Sequence, residues 1–403
     1  MNTANSNRSP LQIAWDKFRK NNLALFGLLV LAGSCIVAIL GSTIRPDASQ
    51  DANEQQLSLA KKPINFAVEM LAVRKNAEID QSNFFGRFFF GGKESVHNSI
   101  PVSDYRFVND TIEVVKYSDF DGDLQETLFL NLLDICYSIQ PDSYRLQGEM
   151  MYAMGIDGEE ISMTVSSAHE MIEKKHIYTK RFLLGTDKFG RDLLSRLMAG
   201  TIVSLSVGLI SVFISLVLGI SLGALAGYFG GWIDEVITWL INVVWSIPTL
   251  LLVIAITFAL GKGFVQVFIA VGLTMWVEVA RVIRGQVLGL KNLEYVQAAR
   301  ALGFPNGRII FRHILPNAMG PVIVISAANF ASAILLEAGL SFLGIGAQIP
   351  MASWGQMINE HYIYITTSRA HLAIFPGICI LILVLAFMLI GNGLRDSFDT
   401  RNA

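Results

Sequence analysis

The chain has 403 residues, with 31 Lys and Arg against 33 Asp and Glu, a formal net charge of -2. It is 52% hydrophobic and only 16% charged, with a mean hydropathy of +0.48, where soluble domains carry about 25% charged residues. This excludes an ordinary soluble domain, and the balanced charge, with no basic tract interleaved with aromatics, gives no ground for nucleic-acid binding.

At the start, Leu11, Trp15 and Phe18 fall on one helical face, with Lys17, Arg19 and Lys20 nearby. This reads either as a short amphipathic helix on the inner membrane surface or as an ordinary basic flank. Leu23–Ser42 follows, the first of six apolar stretches that meet the roughly 20 residues a spanning helix needs. It is too long for a secretory signal, and the apolar run continues through Leu40, past the faint lipoprotein-like Ala32-Gly33-Ser34-Cys35. The basic charge before it puts the N-terminus in the cytoplasm.

The next segment, 45–196, is long enough for its own core. By the count of spans it lies outside the membrane, and its content predicts a mixed α/β extracytoplasmic domain. Pro63–Val73 and Glu159–Lys175 read as partly helical, Tyr105–Tyr117 and Leu128–Ile135 as strands. Gly86–Lys93 has the outline of a phosphate-binding loop, but Gly92 occupies the Lys position, and no other Walker-type run occurs. Asp119, Asp121 and Asp123 are spaced like the start of a calcium loop, yet Leu124 and Leu130 stand where Gly and a bidentate Glu are needed. Asn109-Asp110-Thr111 fits a glycosylation sequon. Cys35, Cys136 and Cys379 are too scattered for a disulfide framework or a zinc site, so no metal site and no catalytic residues are expected.

Five further stretches complete the count: Thr201–Tyr228, Val236–Leu260, Phe264–Ile283, Ala318–Gly346 and Leu372–Leu394. The chain is thus expected to be an α-helical polytopic membrane protein of about six transmembrane helices, with the α/β domain inserted between the first and second. Six spans return the C-terminus to the inside. Arg281, Arg284, Lys291, Arg300, Arg308 and Arg312 then cluster on the cytoplasmic side, while the outer loops carry little beyond Lys262 and Arg369, in accord with the positive-inside rule. Within the spans, Asn242 (near Trp245 and Pro248), Asn329 and Glu337 are candidates for a pathway or gating role, or for structural hydrogen bonds. Glu278 and Arg281, three apart near the inner end of the fourth span, could pair.

Between the fourth and fifth spans runs a polar, basic stretch, Glu294–Asn317. Tyr295, Ala298, Ala299 and Leu302 follow the spacing of one helix face, and Ile309, Ile310, His313 and Ile314 mark a second half that ends at Pro316. Pro305 and Gly307 separate the halves. Small Ala298, Ala299 and Gly303 leave room for a close-fitting surface, which makes the stretch a docking element for a cytoplasmic partner. The expected organisation is therefore 1–44, an N-terminal segment and first helix; 45–196, the inserted domain; and 197–403, a five-helix core with a coupling loop at 285–317.

The loop reads Gln297-Ala298-Ala299, three residues, Gly303, and then Leu315-Pro316. This resembles the cytoplasmic loop of permease subunits of binding-protein-dependent ABC importers, of the dipeptide, oligopeptide and nickel branch, with Gln297 in place of an acidic residue and His313 in place of Ile. The resemblance extends in order over most of Gly185–Arg401, through GTDKFGRDLLSR (185–196), LAGYFGGWID (225–234), RGQVLGLK (284–291), LPNAMGP (315–321), EAGLSFLGIG (337–346), SWG (353–355), FPG (375–377) and GLRDSFDTR (393–401). Ile202, Trp239, Asn242 and Asn392 depart from the branch's usual residues.

The resemblance implies a subunit of an ATP-driven importer in the bacterial inner membrane, moving di- or oligopeptides. Glu294, Tyr295, Gln297, Ala298, Ala299, Gly303, Arg308, His313, Leu315, Pro316 and Asn317 would form the coupling loop. It implies a second permease subunit, one or two cytoplasmic ATPase subunits that hold the ATP and Mg, and an extracytoplasmic solute-binding protein, with no cofactor bound by this chain. Nickel or another small solute is the alternative cargo. A partner-independent secondary carrier is the alternative class.

Overall fold

The structure is a computed structural model that describes residues 10–77, 95–119, 126–261 and 263–398. The chain divides into two units, one comprising Met1–Ala38, Gly200–Tyr362 and Ala373–Ala403, the other Ile39–Ala199 and Ile363–Leu372.

The first unit opens with α1 (Pro10–Phe18) and α2 (Asn22–Ile44). The Asn21 side chain starts α2 by accepting from the backbone N–H groups of Leu23 and Ala24 at 3.1 Å each, an N-cap in the usual sense. Trp15 and Phe18 do not share a buried face: Phe18 is buried against Ala24 and Ile390, and Trp15 is exposed, stacked on Phe18 at 5.8 Å.

The second unit is built on a five-stranded antiparallel sheet in the order β4-β3-β2-β1-β8, with a separate three-stranded sheet β5-β6-β7. Its strands are β1 (Phe66–Arg74), β2 (His97–Val108), β3 (Thr111–Lys116), β4 (Thr127–Asn131), β5 (Arg145–Gln147), β6 (Met150–Met154), β7 (Glu160–Thr164) and β8 (Ile177–Phe182). The helical reading of Pro63–Val73 is wrong. Ala, Glu, Met and Leu there favour a helix, but β1 is paired on both edges, to β2 and to β8, and that long-range ladder outweighs local propensity. The strand expected at Leu128–Ile135 is only half strand. It gives way to α3 (Leu132–Cys136) once the Asn131 side chain caps the helix by accepting from Leu133 N–H at 2.9 Å. Glu159–Lys175 is likewise mixed: β7, then α4 (Val165–Met171), then a wide π turn over Ile172–His176.

Leu71, Val102, Ile112 and Val114 of the large sheet pack against Leu132, Leu133 and Ile135 of α3 and Ala168 of α4, forming the core of this unit. The sequon falls in the tight β2–β3 turn, where Asn109 takes φ 53°. Gly86–Lys93, Asp121 and Asp123 lie outside the described residues.

The long helices of the first unit follow. They are α5 (Leu193–Phe229, which begins in the second unit), α6 (Gly231–Trp245), α7 (Thr249–Leu260), α8 (Phe264–Leu290), α9 (Glu294–Ala301), α10 (Asn306–Ile309), α11 (Leu315–Phe342), α12 (Trp354–His361) and α13 (His371–Phe398). Among the described residues, five helical runs are long and apolar enough to cross a membrane, or six if the bent pair α6–α7 counts as one span. The stretch expected to span at Val236–Leu260 is bent into an elbow of 95°. Pro248 has no N–H to continue α6 and sits at φ -53°, ψ 124°, outside the helical region, so α7 starts in a new direction. α5 and α8 pack closely along Gly219, Gly223 and Gly227. A side chain at Gly223 would come within 2.4 Å of the Ala280 carbonyl oxygen, the contact of small residues that brings membrane helices together.

Candidate functional site

Glu294–Asn317 forms a helical knuckle between α8 and α11. α9 ends where Gly303 takes φ +74°. There Phe304 N–H donates to the Ala299 carbonyl at 3.2 Å and Gly303 N–H to the Arg300 carbonyl at 3.0 Å, the paired bonds of a Schellman stop. Pro305 turns the chain into α10, and a wide π turn over Ile310–Ile314 leads straight into α11. Val296, Ala299, Ile309, Ile310, Ile314 and Leu315 are buried with Ile283 and Val287 of α8 and Ala224 of α5.

Polar contacts fix the rest of the knuckle. Tyr228 Oη donates to Asn306 Oδ1 at 2.8 Å, and Lys291 Nζ to the Gly227 carbonyl at 2.8 Å. Asn317 Nδ2 donates to the His313 carbonyl at 2.8 Å and to Tyr295 Oη at 3.3 Å, and Gln297 Nε2 to the Asn292 carbonyl at 3.0 Å. The Arg308 guanidinium lies 4.3 Å from the Phe304 ring centre, and the His313 ring stacks on the same Phe at 6.0 Å.

The structure splits the helix face expected at Tyr295, Ala298, Ala299 and Leu302. Ala299 turns inward with Val296, while Tyr295, Ala298 and Leu302 face out. The inward Ala299 therefore belongs to the knuckle's own packing. Glu294, Gln297, Gly303, Arg308, Pro316 and Asn317 are exposed, His313 is half-buried and Leu315 is buried. The most prominent outward groups are two that sequence reading did not single out as site residues, Leu302 and Phe311, each 73% exposed. Leu302 was visible only as part of the apolar face, and Phe311 breaks the apolar spacing of its half, which was the available signal.

The pathway candidates do not converge. Trp245 lines a cleft of about 450 Å³ at the elbow, together with Ile247, Leu250, Met275, Glu278 and Leu335. Asn242 is exposed on α6 outside that lining, and Asn329 is buried in α11. Glu337, 1% exposed, accepts from Ser341 Oγ at 2.6 Å and Ser353 Oγ at 2.7 Å, clasping the start of α12 to α11. The expected Glu278–Arg281 pair does not form. Among the described residues no ion pair joins them, and the Arg281 guanidinium instead stacks 3.6 Å from the Trp245 ring centre. The helix itself continues past both residues to Leu290.

In the second unit, the run Gly185–Arg196 is a buried ionic knot. Asp187 accepts from the N–H groups of Phe189 (2.8 Å) and Arg191 (3.0 Å), and from Arg191 Nε at 2.5 Å. Arg191 Nη1 donates onward to Asn53 Oδ1 at 3.2 Å, and Arg196 Nη1 to the Asp51 carbonyl at 3.3 Å. Asp192 accepts from Ser195 N–H at 2.8 Å; burial nevertheless pushes its carboxyl above the usual carboxylate range. Gly190, at φ +73°, lies so close to the Gln56 carbonyl that no side chain fits. The i, i+4 spacing of Asp187 and Arg191, with Gly190 between them, was the sequence signal for this knot.

Residues 219–403 match the family described as binding-protein-dependent transport system inner membrane component, and residues 9–63 match the N-terminal transmembrane domain of oligopeptide transport permease C. A glutathione transport system permease protein of Pectobacterium atrosepticum is 42% identical over 218 residues, 54% of this chain and 72% of that one. A dipeptide transport system permease protein of Alkalihalophilus pseudofirmus is 42% identical over 217 residues, 54% and 71% of the two chains. An oligopeptide transport system permease protein of Bacillus subtilis is 39% identical over 223 residues, 55% and 73%.

Proposed function

This chain belongs to the family of binding-protein-dependent transport system inner membrane components, and we propose that it is a permease subunit of an ATP-driven importer of di- or oligopeptides. The knuckle carries the coupling role. It presents Leu302 and Phe311 outward on a base held by Val296, Ala299 and Ile309, which suits insertion into a groove on a partner. Two large apolar side chains left exposed on so short a segment suit burial against a partner. Glu294, Tyr295, Gln297, Ala298, Gly303, Arg308, Pro316 and Asn317 form the rim, and His313 and Leu315 the support behind it.

On this reading the knuckle faces the cytoplasm, where Arg300, Arg308 and Arg312 are expected by the positive-inside rule, and it docks on ATPase subunits that hold the ATP and Mg. The sheet-bearing unit lies on the outer side, where a solute-binding protein delivers cargo. A second permease subunit completes the pathway, and both termini are cytoplasmic. Peptide cargo is drawn from the relatives, of which one is a dipeptide, one an oligopeptide and one a glutathione permease, glutathione being itself a tripeptide.

The test is gentle affinity purification of this chain from its native membrane. Co-purification of a second permease-like chain and one or two ATPases, with vanadate-sensitive hydrolysis stimulated by peptide-loaded binding protein, is the expected result. A stable lone chain that moves solute on an ion gradient would overturn it.

A further inference from the structure

Among the described residues that line the cleft at the elbow, one is charged. Glu278 is exposed there, midway along α8, about 20 Å from either helix end at 1.5 Å per residue. The walls around it are largely apolar, from Trp245, Ile247 and Leu250 on the elbow to Met275 and Leu335. A carboxylate set among apolar walls is costly unless it is paired or faces water. No Lys or Arg nitrogen lies within 4.0 Å of it among the described residues, and the nearest cation in sequence, Arg281, is stacked on Trp245. Of the lining hydroxyls, Thr274 Oγ1 is committed to its own helix, donating at 2.8 Å to the Val271 carbonyl.

From this geometry we infer that Glu278 is a cation-selecting contact in the translocation path, receiving a primary ammonium of the passing peptide. The inference rests on the peptide-importer reading and deepens it. A zwitterionic or lysine-bearing peptide brings the complementary charge, and the apolar walls strengthen the contact by excluding water. One carboxylate with no second acid beside it gives a contact weak enough to release, which passage requires. The ammonium has two sources, the peptide's amino terminus and a lysine side chain.

The experiment reconstitutes the whole complex with its binding protein in vesicles. It measures maximal uptake of trialanine and of trilysine at saturating binding protein for wild type, Glu278→Gln and Glu278→Asp. Loss of a charge-assisted contact corresponds to roughly a tenfold change. A fall of about that size for trilysine alone in the Gln variant, restored by Asp, supports the contact with the side chain as the source. An equal fall for both peptides, restored by Asp, supports it with the amino terminus as the source. Unchanged uptake of both peptides in the Gln variant overturns the inference while leaving the importer reading intact. So does loss of uptake in both variants together with loss of the second permease from the complex, because the cleft is then a packing surface. Wild-type complex that moves neither peptide overturns the peptide reading, and this inference with it.

Discussion

The Gly185–Arg196 knot and the Glu294–Asn317 knuckle are both polar runs of similar family character, yet they fold in opposite senses. In the knot the polar groups turn inward: Asp187, Arg191 and Arg196 are buried, and each bonds a partner drawn from the chain nearby or from 51–53. In the knuckle the apolar residues split, six forming a base from Val296 to Leu315 and two, Leu302 and Phe311, left outside. A polar motif thus has two physical meanings. Buried and bonded within the chain, it fixes a backbone; exposed and partly apolar, it offers the surface that the proposed docking would cover.

Substitutions break or sharpen this contrast, and the largest effect belongs to the knot. Asp187→Ala leaves two buried arginines without their carboxylate, which costs about 3–5 kcal/mol. Limited proteolysis should then cut the second unit readily, and an unchanged digestion pattern would refute the structural reading. Tyr228→Phe removes one hydrogen bond to Asn306 under the knuckle, worth about 1 kcal/mol, visible as a small fall in melting temperature. Leu302→Ser with Phe311→Ser should change stability by no more than about 0.5 kcal/mol, as exposed substitutions do. Coupling between ATP hydrolysis and uptake should nevertheless drop by roughly tenfold or more, as when interface anchors are cut. Full coupling at normal expression would remove the docking role.

The smallest effect is a pH dependence. The Lys62 ammonium beside Asp119 holds that carboxyl below the usual carboxylate range. A lowered folded-state value stabilises above the ordinary range, and that contribution is lost as pH falls through the lowered value. Asp119→Asn should abolish this loss in acid melts, by a small margin because the carboxylate is half exposed.

Much of the helical part was legible because roughly 20-residue apolar runs announce themselves. The elbow was not, since hydropathy averages over Ser246-Ile247-Pro248 and registers no direction. Pro248 marks the place, but Pro is frequent within spans and carries no direction by itself. β1 was missed because its strand character comes from β2 and β8, remote in sequence, and not from its own residues. In the knuckle, periodicity located both halves but could not say which of Tyr295, Ala298, Ala299 and Leu302 met the interior. Only the packing of Val296 and Ala299 against α8 decides that.

The π turn over Ile310–Ile314 passes into α11 with no intervening coil, so Asn306–Phe342 is a single run of 37 residues. Such a run behaves as a pushrod. At 1.5 Å per residue, the Phe311 tip stands about 40 Å along the axis from Glu337, where Ser353 is clasped. Pro321 and the π turn are the two places along the run where a displacement could be absorbed as bending. A nudge at the tip arrives at the clasp as movement of the same rod, and freezing either end should still the other.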